Sequence, residues 1–283
     1  MSFERLIGEA APLAMIEVSR VEGSAPREPG AFMLVTMTRS AGTIGGGRLE
    51  WEAVAAAREM LAGEPKTSVL TFPLGPELGQ CCGGRVTLTV RHLDTAERAA
   101  LLVRLEGARA AQPAVLIFGA GHTGMALARA LVPLPVAVTL VDTREALLAS
   151  APAGVATILT ALPESVVRGA PARSGFAIMT HDHAMDFLIA HEAVDRGDAA
   201  YIGLIGSASK RARFEGERAR RGLGRARALT CPVGAAGLGD KRPAVIAVHT
   251  AAEIMAAFRM AGVARPEAPA GGGVRQKGLA WIR

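Results

Sequence analysis

Two different patterns of hydrophobic and polar positions divide the chain. In the first hundred residues, short runs that favour strands alternate with glycine-bearing loops, and one stretch carries apolar residues at helical spacing. The strands are predicted over 13–18, 31–37, 66–72 and 85–90, and the helix over 48–61. The sequence therefore predicts a small α+β N-terminal domain over residues 1–108.

From residue 114 onwards the predicted strands become fully apolar. They cover 114–118, 136–141, 176–179 and 201–205, and they alternate with helical stretches such as 125–131. Such runs are typical of parallel strands buried on both faces, and their alternation with helices favours a doubly wound sheet. After a helix over 94–107 and a linker over 108–113, we therefore predict an α/β, Rossmann-like doubly wound parallel-sheet domain over 113–263. Residues 264–283 are predicted to form a mobile C-terminal tail.

The composition narrows the class of protein. The chain has 283 residues, half of them hydrophobic, which suffices for two domains of ordinary size. No apolar run approaches the ~20 residues that span a bilayer, and the N-terminus lacks a basic region followed by an apolar stretch. Three cysteines, two of them adjacent, do not make an ordinary disulfide framework. We therefore expect a cytoplasmic protein with no membrane partner.

Positive charge is concentrated in one segment. The net charge is +6, and the stretch from Lys210 to Arg227 holds eight Lys or Arg residues against two Glu residues, which equals the whole excess. This segment is either a solvated helix face or a seat for an anion, such as a phosphate or an acidic partner surface. Aromatic residues make up only 4% of the chain, so stacking platforms are scarce and no nucleic-acid partner is expected.

A glycine-rich turn follows the first fully apolar strand. In Gly119-Ala120-Gly121-His122-Thr123-Gly124, the glycines allow a tight turn (Gly119), close approach of a phosphate (Gly121) and packing of the next helix on the strand (Gly124). Asp142 stands 23 residues after Gly119, close to the offset of a ribose-binding carboxylate. His122 is either a ligand contact or a surface residue. The turn either binds a dinucleotide-like ligand or has kept its shape without one.

Further candidate groups lie in other loops. The run Gly79-Gln80-Cys81-Cys82-Gly83-Gly84 places two thiols beside residues without a Cβ, where a ligand can come close. Cys81 and Cys82 are therefore candidate nucleophiles or soft-metal ligands, or else small half-buried apolar residues. Arg27 suits an anion or a loop salt bridge. Thr180-His181-Asp182-His183 follows a predicted strand, which favours one histidine in the ligand crevice and one on the surface.

Several motifs together resemble a known family. The segments Ser24-Ala25-Pro26-Arg27-Glu28-Pro29-Gly30, Gly42-Thr43-Ile44-Gly45-Gly46-Gly47-Arg48-Leu49-Glu50 and Gly79–Gly84 closely resemble the N-terminal domain of the XdhC/CoxI family. Phe118–His122, Asp142-Thr143-Arg144, Thr180–His183 and Tyr201-Ile202-Gly203-Leu204-Ile205-Gly206-Ser207 resemble its Rossmann-like C-terminal domain. The resemblance runs from about residue 10 to 260 with the motifs in the family's order. Cys231-Pro232-Val233-Gly234 resembles a further family loop, which departs from the pattern after Gly234, and Cys231 is either part of a thiol site or a core residue.

The resemblance implies an accessory protein rather than an enzyme, with no catalytic residues. Such a protein would bind the molybdenum cofactor in its molybdopterin form transiently, protect it, support its sulfuration by a cysteine desulfurase, and deliver it to apo-xanthine dehydrogenase. Its cofactor-binding candidates are Arg27, Cys81, Cys82, Gly83, Gly84, Gly119, Gly121, His122, Gly124, Asp142 and His181. Cys81 and Cys82 are also the candidate molybdenum contacts, and a homodimer is expected.

Two other functions stay open at this point. The first is an NAD(P)-dependent oxidoreductase that uses Gly119, Gly121, Gly124 and Asp142, which would leave the paired cysteines without a role. The second is a partner-binding scaffold without a small-molecule ligand, in which the basic segment from Lys210 to Arg227 docks an acidic protein. Saturable dinucleotide binding with turnover would identify the first, and absence of any small-molecule ligand would identify the second.

Overall fold

The computed structural model describes residues 3–63, 67–74, 83–234 and 239–263. Contacts between residues divide the described chain into two compact units, which meet in sequence between Ala108 and Arg109. Each unit has its own sheet and its own hydrophobic cores.

The first unit is built on an antiparallel sheet. Within the described residues it has five strands in the order β3-β2-β1-β5-β4, with β1 in the centre. Its elements are α1 (Phe3–Ile7), β1 (Ala14–Glu22), β2 (Phe32–Val35), β3 (Ser40–Gly42), α2 (Gly47–Ala62), β4 (Ser68–Pro73), β5 (Arg85–His92) and α3 (Thr95–Ala110).

Both faces of this sheet are covered, because alternate residues of β1 point to opposite sides. Ala14, Ile16 and Val18 belong to the core that includes Leu49, Ala53 and Ala57 of α2. Leu13 and Met15 belong to a second core with residues of α1 and α3. The helix α3 begins with a capping box, in which the Glu97 amide donates to Asp94 and the Asp94 amide donates to Glu97.

The second unit is a Rossmann-like domain. Within the described residues its parallel sheet has six strands in the order β11-β10-β9-β6-β7-β8, which is the doubly wound order with a switch point between β6 and β9. The strands are β6 (Ala114–Phe118), β7 (Ala137–Asp142), β8 (Ala156–Leu159), β9 (Gly175–Ile178), β10 (Tyr201–Leu204) and β11 (Leu229–Thr230).

Helices cover both faces of the parallel sheet. They are α4 (His122–Leu131), α5 (Glu145–Leu148), α6 (Pro163–Gly169), α7 (His183–Arg196), α8 (Ala208–Arg220) and α9 (Pro243–Met260). The core on one face includes residues of α4, α5 and α9, and the core on the other includes residues of α6, α7 and α8. The central strands β9 and β10 are buried along their whole length, as their apolar sequences require.

The predicted fold class is confirmed, with an α+β unit followed by a doubly wound parallel sheet. The strand predicted over 114–118 has these bounds in the structure. The helix predicted over 125–131 begins earlier, at His122, because the glycine turn leads directly into its first turn. Across the described residues, no helix combines the length and the apolar character that crossing a membrane requires.

Candidate functional site

The three glycines of the Rossmann turn have different structural roles. Gly119 has a φ of 111°, and a Cβ there would stand 2.4 Å from the carbonyl oxygen of Met179. A Cβ on Gly124 would stand 1.8 Å from the carbonyl oxygen of Gly119, so only glycine lets α4 pack on the turn. A Cβ on Gly121 would have no atom within 4 Å. Gly121 therefore borders open space at the start of α4, where a ligand can approach the backbone.

The N-terminus of α4 faces a cavity of about 700 Å³. The cavity lies at the carboxyl edge of the parallel sheet, beside the switch point, where ligands of open α/β sheets bind. It is formed by the segments that follow β6, β7, β9 and β10 and by Pro243 at the start of α9. The lining residues are Ala120, Gly121, His122, Thr123, Met125, Arg129, Arg144, Leu147, Ser150, Met179, Thr180, His181, Ile205 and Pro243.

The charged groups in this lining are cationic. Arg129 and Arg144 contribute guanidinium groups, and exposed His122 and His181 contribute imidazoles. No carboxylate belongs to the lining that the described residues form. The first amides of α4 have no partner within the helix, and they carry the positive end of its dipole. The cavity is therefore suited to an anionic ligand group such as a phosphate.

Asp142 is not among the residues that line the cavity. Its carboxylate is buried and accepts four hydrogen bonds, from the Ala120 amide at 2.6 Å and from the amide, Nε and Nη2 of Arg144 at 2.9 Å each. Burial alone would raise the pKa of Asp142, but the hydrogen bonds from Arg144 and Ala120 outweigh it and hold this pKa below its usual range. The carboxylate is thus committed to the protein, and Arg144 is the group presented to the cavity.

A second buried ion pair lies beneath the same edge of the sheet. Lys210 donates to Oδ2 of Asp186, and the two side chains are 9% and 1% exposed. The other oxygen of Asp186 accepts from the amide of Thr180 at 2.9 Å and from its hydroxyl at 2.7 Å. Thr180 lines the cavity, so this pair fixes part of the cavity wall. In the sequence Lys210 is only one member of the basic segment, and no local pattern indicates this pair.

The loop after β9 separates the residues of the Thr180–His183 motif. His181 lines the large cavity, whereas His183 lines a smaller one of about 260 Å³. Asp182 caps α7 and accepts from the amide of Ala184 at 2.7 Å. The motif therefore provides Thr180 and His181 to the large cavity, His183 to the smaller one, and Asp182 as a helix cap.

Cys231 is a half-buried free cysteine that packs against the core between the sheet and α7. Burial raises the pKa of its thiol, and the charges of Lys210 and Arg211 offset only part of this effect. Cys231 is therefore a protonated, structural thiol at neutral pH.

The candidate loops of the first unit converge at one place. Ser24 forms a parallel bridge with Gly83, and a Cβ on Gly84 would stand 2.1 Å from the carbonyl oxygen of Ser24. Gly45 has a φ of 130°, and a Cβ there would stand 3.0 Å from the Cβ of Pro26. Gly45 and Gly84 are thus required where they contact the segment 24–26.

Glu50 holds the second of these loops against the start of α2. One of its carboxylate oxygens accepts from the Thr43 hydroxyl at 2.7 Å, the Gly46 amide at 3.0 Å and the Ile44 amide at 3.3 Å. The glycine run is therefore ordered by a single side chain from the following helix, much as in a capping box.

The remaining candidates of the first unit are placed only in part. Arg27 is exposed on the Ser24 loop. Cys81 and Cys82, the candidate molybdenum contacts, lie outside the described residues. Among the residues that the structure does describe, no group of three or more His, Cys, Asp or Glu side chains could hold a metal ion.

The comparisons with known proteins agree with this architecture. The family model described as the XdhC Rossmann domain matches residues 115–254, and the model described as the XdhC and CoxI family matches residues 6–73. A comparison with curated proteins gives no match.

One solved structure that matches is titled a crystal structure of a xanthine dehydrogenase from Bacillus halodurans. The superposition has a TM-score of 0.77 at 20% sequence identity, and it covers 92% of this chain and 96% of that chain. At this identity the likeness shows the fold alone. Two models of one family match successive segments that together span most of the chain, and on this ground the chain belongs to the XdhC and CoxI family.

Proposed function

We propose that the protein binds the molybdenum cofactor, holds and protects it during sulfuration by a cysteine desulfurase, and delivers it to apo-xanthine dehydrogenase. Membership of the XdhC and CoxI family suggests an accessory role in the maturation of that enzyme. A carrier of this kind works stoichiometrically and needs a ligand pocket but no acid–base pair.

The observation that carries the proposal is the commitment of Asp142 to Ala120 and Arg144. A Rossmann domain that binds NAD presents such a carboxylate to the ribose hydroxyls. Here the carboxylate has no free oxygen for a ribose, and the cavity presents cations instead. The molybdopterin form of the cofactor carries a phosphate and no ribose, so its chemistry fits this cavity.

The residues present fit the phosphate end of such a ligand. Gly121 leaves the first turn of α4 open to close approach, and Thr123 and Arg129 lie along the same wall. The side chain of Arg144 is 40% exposed, so its remaining N–H groups can donate hydrogen bonds to an anion while it stays paired with Asp142. These groups would bind and orient the phosphate, and Met179 and Ile205 supply apolar lining to the same cavity.

The thiols of Cys81 and Cys82 are assigned to the metal end of the cofactor in this proposal. A thiolate is a soft ligand and a nucleophile, so it can contact molybdenum or accept the incoming sulfur. We expect Cys81→Ala or Cys82→Ala to lower cofactor retention or sulfuration and to leave the fold intact. Unchanged retention and sulfuration in both variants and in the double variant would contradict a thiol role.

A second candidate function is an oxidoreductase that uses NADP. It is favoured by one observation, the arginine that follows β7, because an arginine at this place accommodates the 2′-phosphate of NADP. This candidate assigns no role to the paired cysteines. It is separated from the first by whether the ligand is a dinucleotide.

Equilibrium binding under anaerobic conditions tests the proposal. Purified protein is titrated with molybdenum cofactor, NAD and NADP, and the same titrations are made with Arg129→Met and with Arg259→Met as the matched control. Arg129 is exposed and lines the cavity, whereas Arg259 is exposed on α9 outside it. We expect near-stoichiometric cofactor binding, weakened about tenfold by the first substitution and unchanged by the second. Binding of NADP without cofactor binding would contradict the proposal and support the second candidate.

A further inference from the structure

The charges of α8 and the loop that follows it are sorted between an inner and an outer side. On the inner side, Lys210 pairs with Asp186. Arg218 is buried and pairs with Asp195 at 2.8 Å. Arg218 also donates to the carbonyl oxygen of Gly224 and contacts Nδ1 of His191. These cations stabilise the fold and are not available to a partner.

The acidic residues of the segment are also committed. Glu215 lies 3.6 Å from Arg211 and accepts from the amide of Ala226, and Glu217 lies 3.2 Å from Nε2 of His191. Neither carboxylate forms an ion pair with the outer arginines of the described chain, but Glu217 lines the same groove as Arg213 and Arg220 and offsets part of their charge. The outer side therefore keeps a net excess of positive charge.

Five exposed arginines make up that outer side, and we name them the α8 arginine face. Their side chains make no hydrogen bond or ion pair with any part of the chain that the structure describes. They are Arg213, Arg220, Arg221, Arg225 and Arg227.

A groove of about 370 Å³ runs through this face between α7 and α8. It is lined by Phe187, Ala212, Arg213, Gly216, Glu217 and Arg220. Gly216 lies inside α8, where glycine is less favourable than alanine by about 1 kcal/mol. A Cβ there would meet only Nη1 of Arg220, at 3.8 Å, so packing within the described fold does not require this glycine. Its effect is to leave the groove open between two arginines.

We propose that the α8 arginine face docks an acidic surface of a protein partner, and that the groove receives an apolar side chain from the same surface. An arginine guanidinium group binds a carboxylate through two parallel hydrogen bonds, and arginine is enriched in protein interfaces. A groove with Phe187 at its floor suits an apolar side chain flanked by carboxylates. A nucleic acid is disfavoured because the groove offers no exposed aromatic ring on which a base could stack.

The N-terminal end of α8 lies beside the ligand cavity. Ile205 lines the cavity, and α8 starts three residues later, after the capping Ser207. The smaller cavity lined by His183, Gly206, Lys210 and Arg213 lies along this path. Arg213 is the member of the face nearest to this end, whereas Arg220 lies at the other end of α8, about 18 Å along the helix. That the docked partner is the enzyme that receives the cofactor rests on the proposed function, whereas the docking surface itself does not.

Fluorescence polarisation with a defined probe tests the surface. The probe is a short fluorescein-labelled peptide in which glutamates alternate with leucines, and its glutamine counterpart is the neutral control. Three variants of the full chain are compared with wild type. Arg220→Glu reverses a charge on the face, Arg259→Glu makes the same change on α9, and Gly216→Met fills the groove without a change in charge.

We expect wild type to bind the acidic peptide and not its neutral counterpart, with an affinity that falls as salt rises. Arg220→Glu should weaken binding about tenfold or more, and Gly216→Met several-fold, whereas Arg259→Glu should stay within about twofold of wild type. Equal losses for Arg220→Glu and Arg259→Glu would overturn the proposal, because they would show only the net charge of the chain. Tighter binding of a labelled DNA duplex, with the same dependence on Arg220, would overturn it in favour of a nucleic acid.

The peptide titration contains no cofactor, so it decides the docking surface whatever the cavity binds. Cofactor binding by Arg220→Glu is measured separately and is expected to equal that of wild type. If wild type and all variants failed to bind cofactor, but the acidic peptide bound with the expected dependence on Arg220, the proposed function would be wrong and the docking surface would still be supported.

Discussion

The carboxylate of Asp142 should stabilise the Rossmann unit strongly, and Asp142→Asn tests this. An asparagine keeps one acceptor oxygen and replaces the other by an NH₂ group, which cannot accept from the donors that face it. Either the Ala120 amide and Nη2 of Arg144, or the Arg144 amide and Nε, then lose their acceptor.

The size of the effect follows from which donors water can reach. In either orientation of the asparagine amide one backbone N–H, that of Ala120 or that of Arg144, is left unpaired; Ala120 is only 2% exposed, and such a loss costs about 1–3 kcal/mol. The guanidinium of Arg144 is 40% exposed and can be rehydrated, so the lost charge attraction adds about 0–1 kcal/mol. We expect the free energy of unfolding of this unit to fall by about 2–4 kcal/mol.

The structure offers a matched control. Asp240 accepts from the amide, Nε and Nη2 of Arg242 with the same side-chain geometry, but this pair lies at the surface and involves no buried amide. Asp240→Asn should therefore destabilise the protein much less than Asp142→Asn. Urea unfolding followed by circular dichroism, with hydrogen exchange at the Ala120 amide, reports on the unit that contains both sites.

The pH dependence has a definite sign. The pKa of Asp142 lies below its ordinary value of 3.8 in the folded protein. Its stabilising contribution is therefore present above that ordinary value and is lost as the pH falls through the folded pKa. The difference in stability between wild type and Asp142→Asn should be full at neutral pH and shrink at pH values below about 4. A difference that equals that of Asp240→Asn, or does not change with pH, would refute the reasoning.

Four further substitutions have expected outcomes. Gly124→Ala should lower the free energy of unfolding by about 3 kcal/mol or more, and with it the melting temperature. Gly121→Ala should change the free energy of unfolding by no more than about 1 kcal/mol. Equal melting temperatures for the two variants would contradict the packing argument. Glu50→Gln should speed hydrogen exchange of the amides in the glycine loop that it holds, with exchange in β1 as the internal reference. Burial raises the pKa of Glu17 despite the neighbouring arginines, so Glu17→Gln should stabilise the protein at neutral pH. This gain should vanish as the pH falls through the folded pKa of Glu17 into the acid range. A gain that does not depend on pH would exclude titration of Glu17 as its cause.

The parts of the fold with strong local patterns were predictable from the sequence. The strand over 114–118, the glycine turn and the alternation of later strands with helices were enough for the doubly wound class. The helix α9 was not predicted. In its first half the buried residues are the small Ala247, Thr250 and Ala251, which give little contrast between a buried and an exposed side; the large buried residues Ile254 and Phe258 come only in its second half.

The sequence was enough to predict where the candidate site lies, but not which of its charged side chains form ion pairs with one another. The sequence placed Gly121, His122 and His181 near one crevice, and they line one cavity in the structure. A spacing rule gave Asp142 a ligand role because it counts residues and not hydrogen-bond partners. The partner Arg144 stood two residues away in the same motif, but whether a side chain turns inward depends on the tertiary structure. The pairing of Asp186 with Lys210 joins residues 24 positions apart, and no local pattern indicates it.

The two buried carboxylates at this edge explain together why the cavity is cationic. Asp142 is the last residue of β7, and Asp186 lies beneath the loop after β9. Each carboxylate would repel an anion if it were free. Each is instead paired with a basic side chain, Arg144 or Lys210. Their fields at the cavity largely cancel, because an ion pair acts at a distance as a dipole and not as a charge. What remains is the positive end of α4 and Arg129, which has no ion pair within the described residues, and these groups would attract the phosphate of the proposed ligand. Lys210→Met would leave the carboxylate of Asp186 without its ion-pair partner. We therefore expect this substitution to weaken the binding of phosphate-bearing ligands, although Lys210 does not line the large cavity.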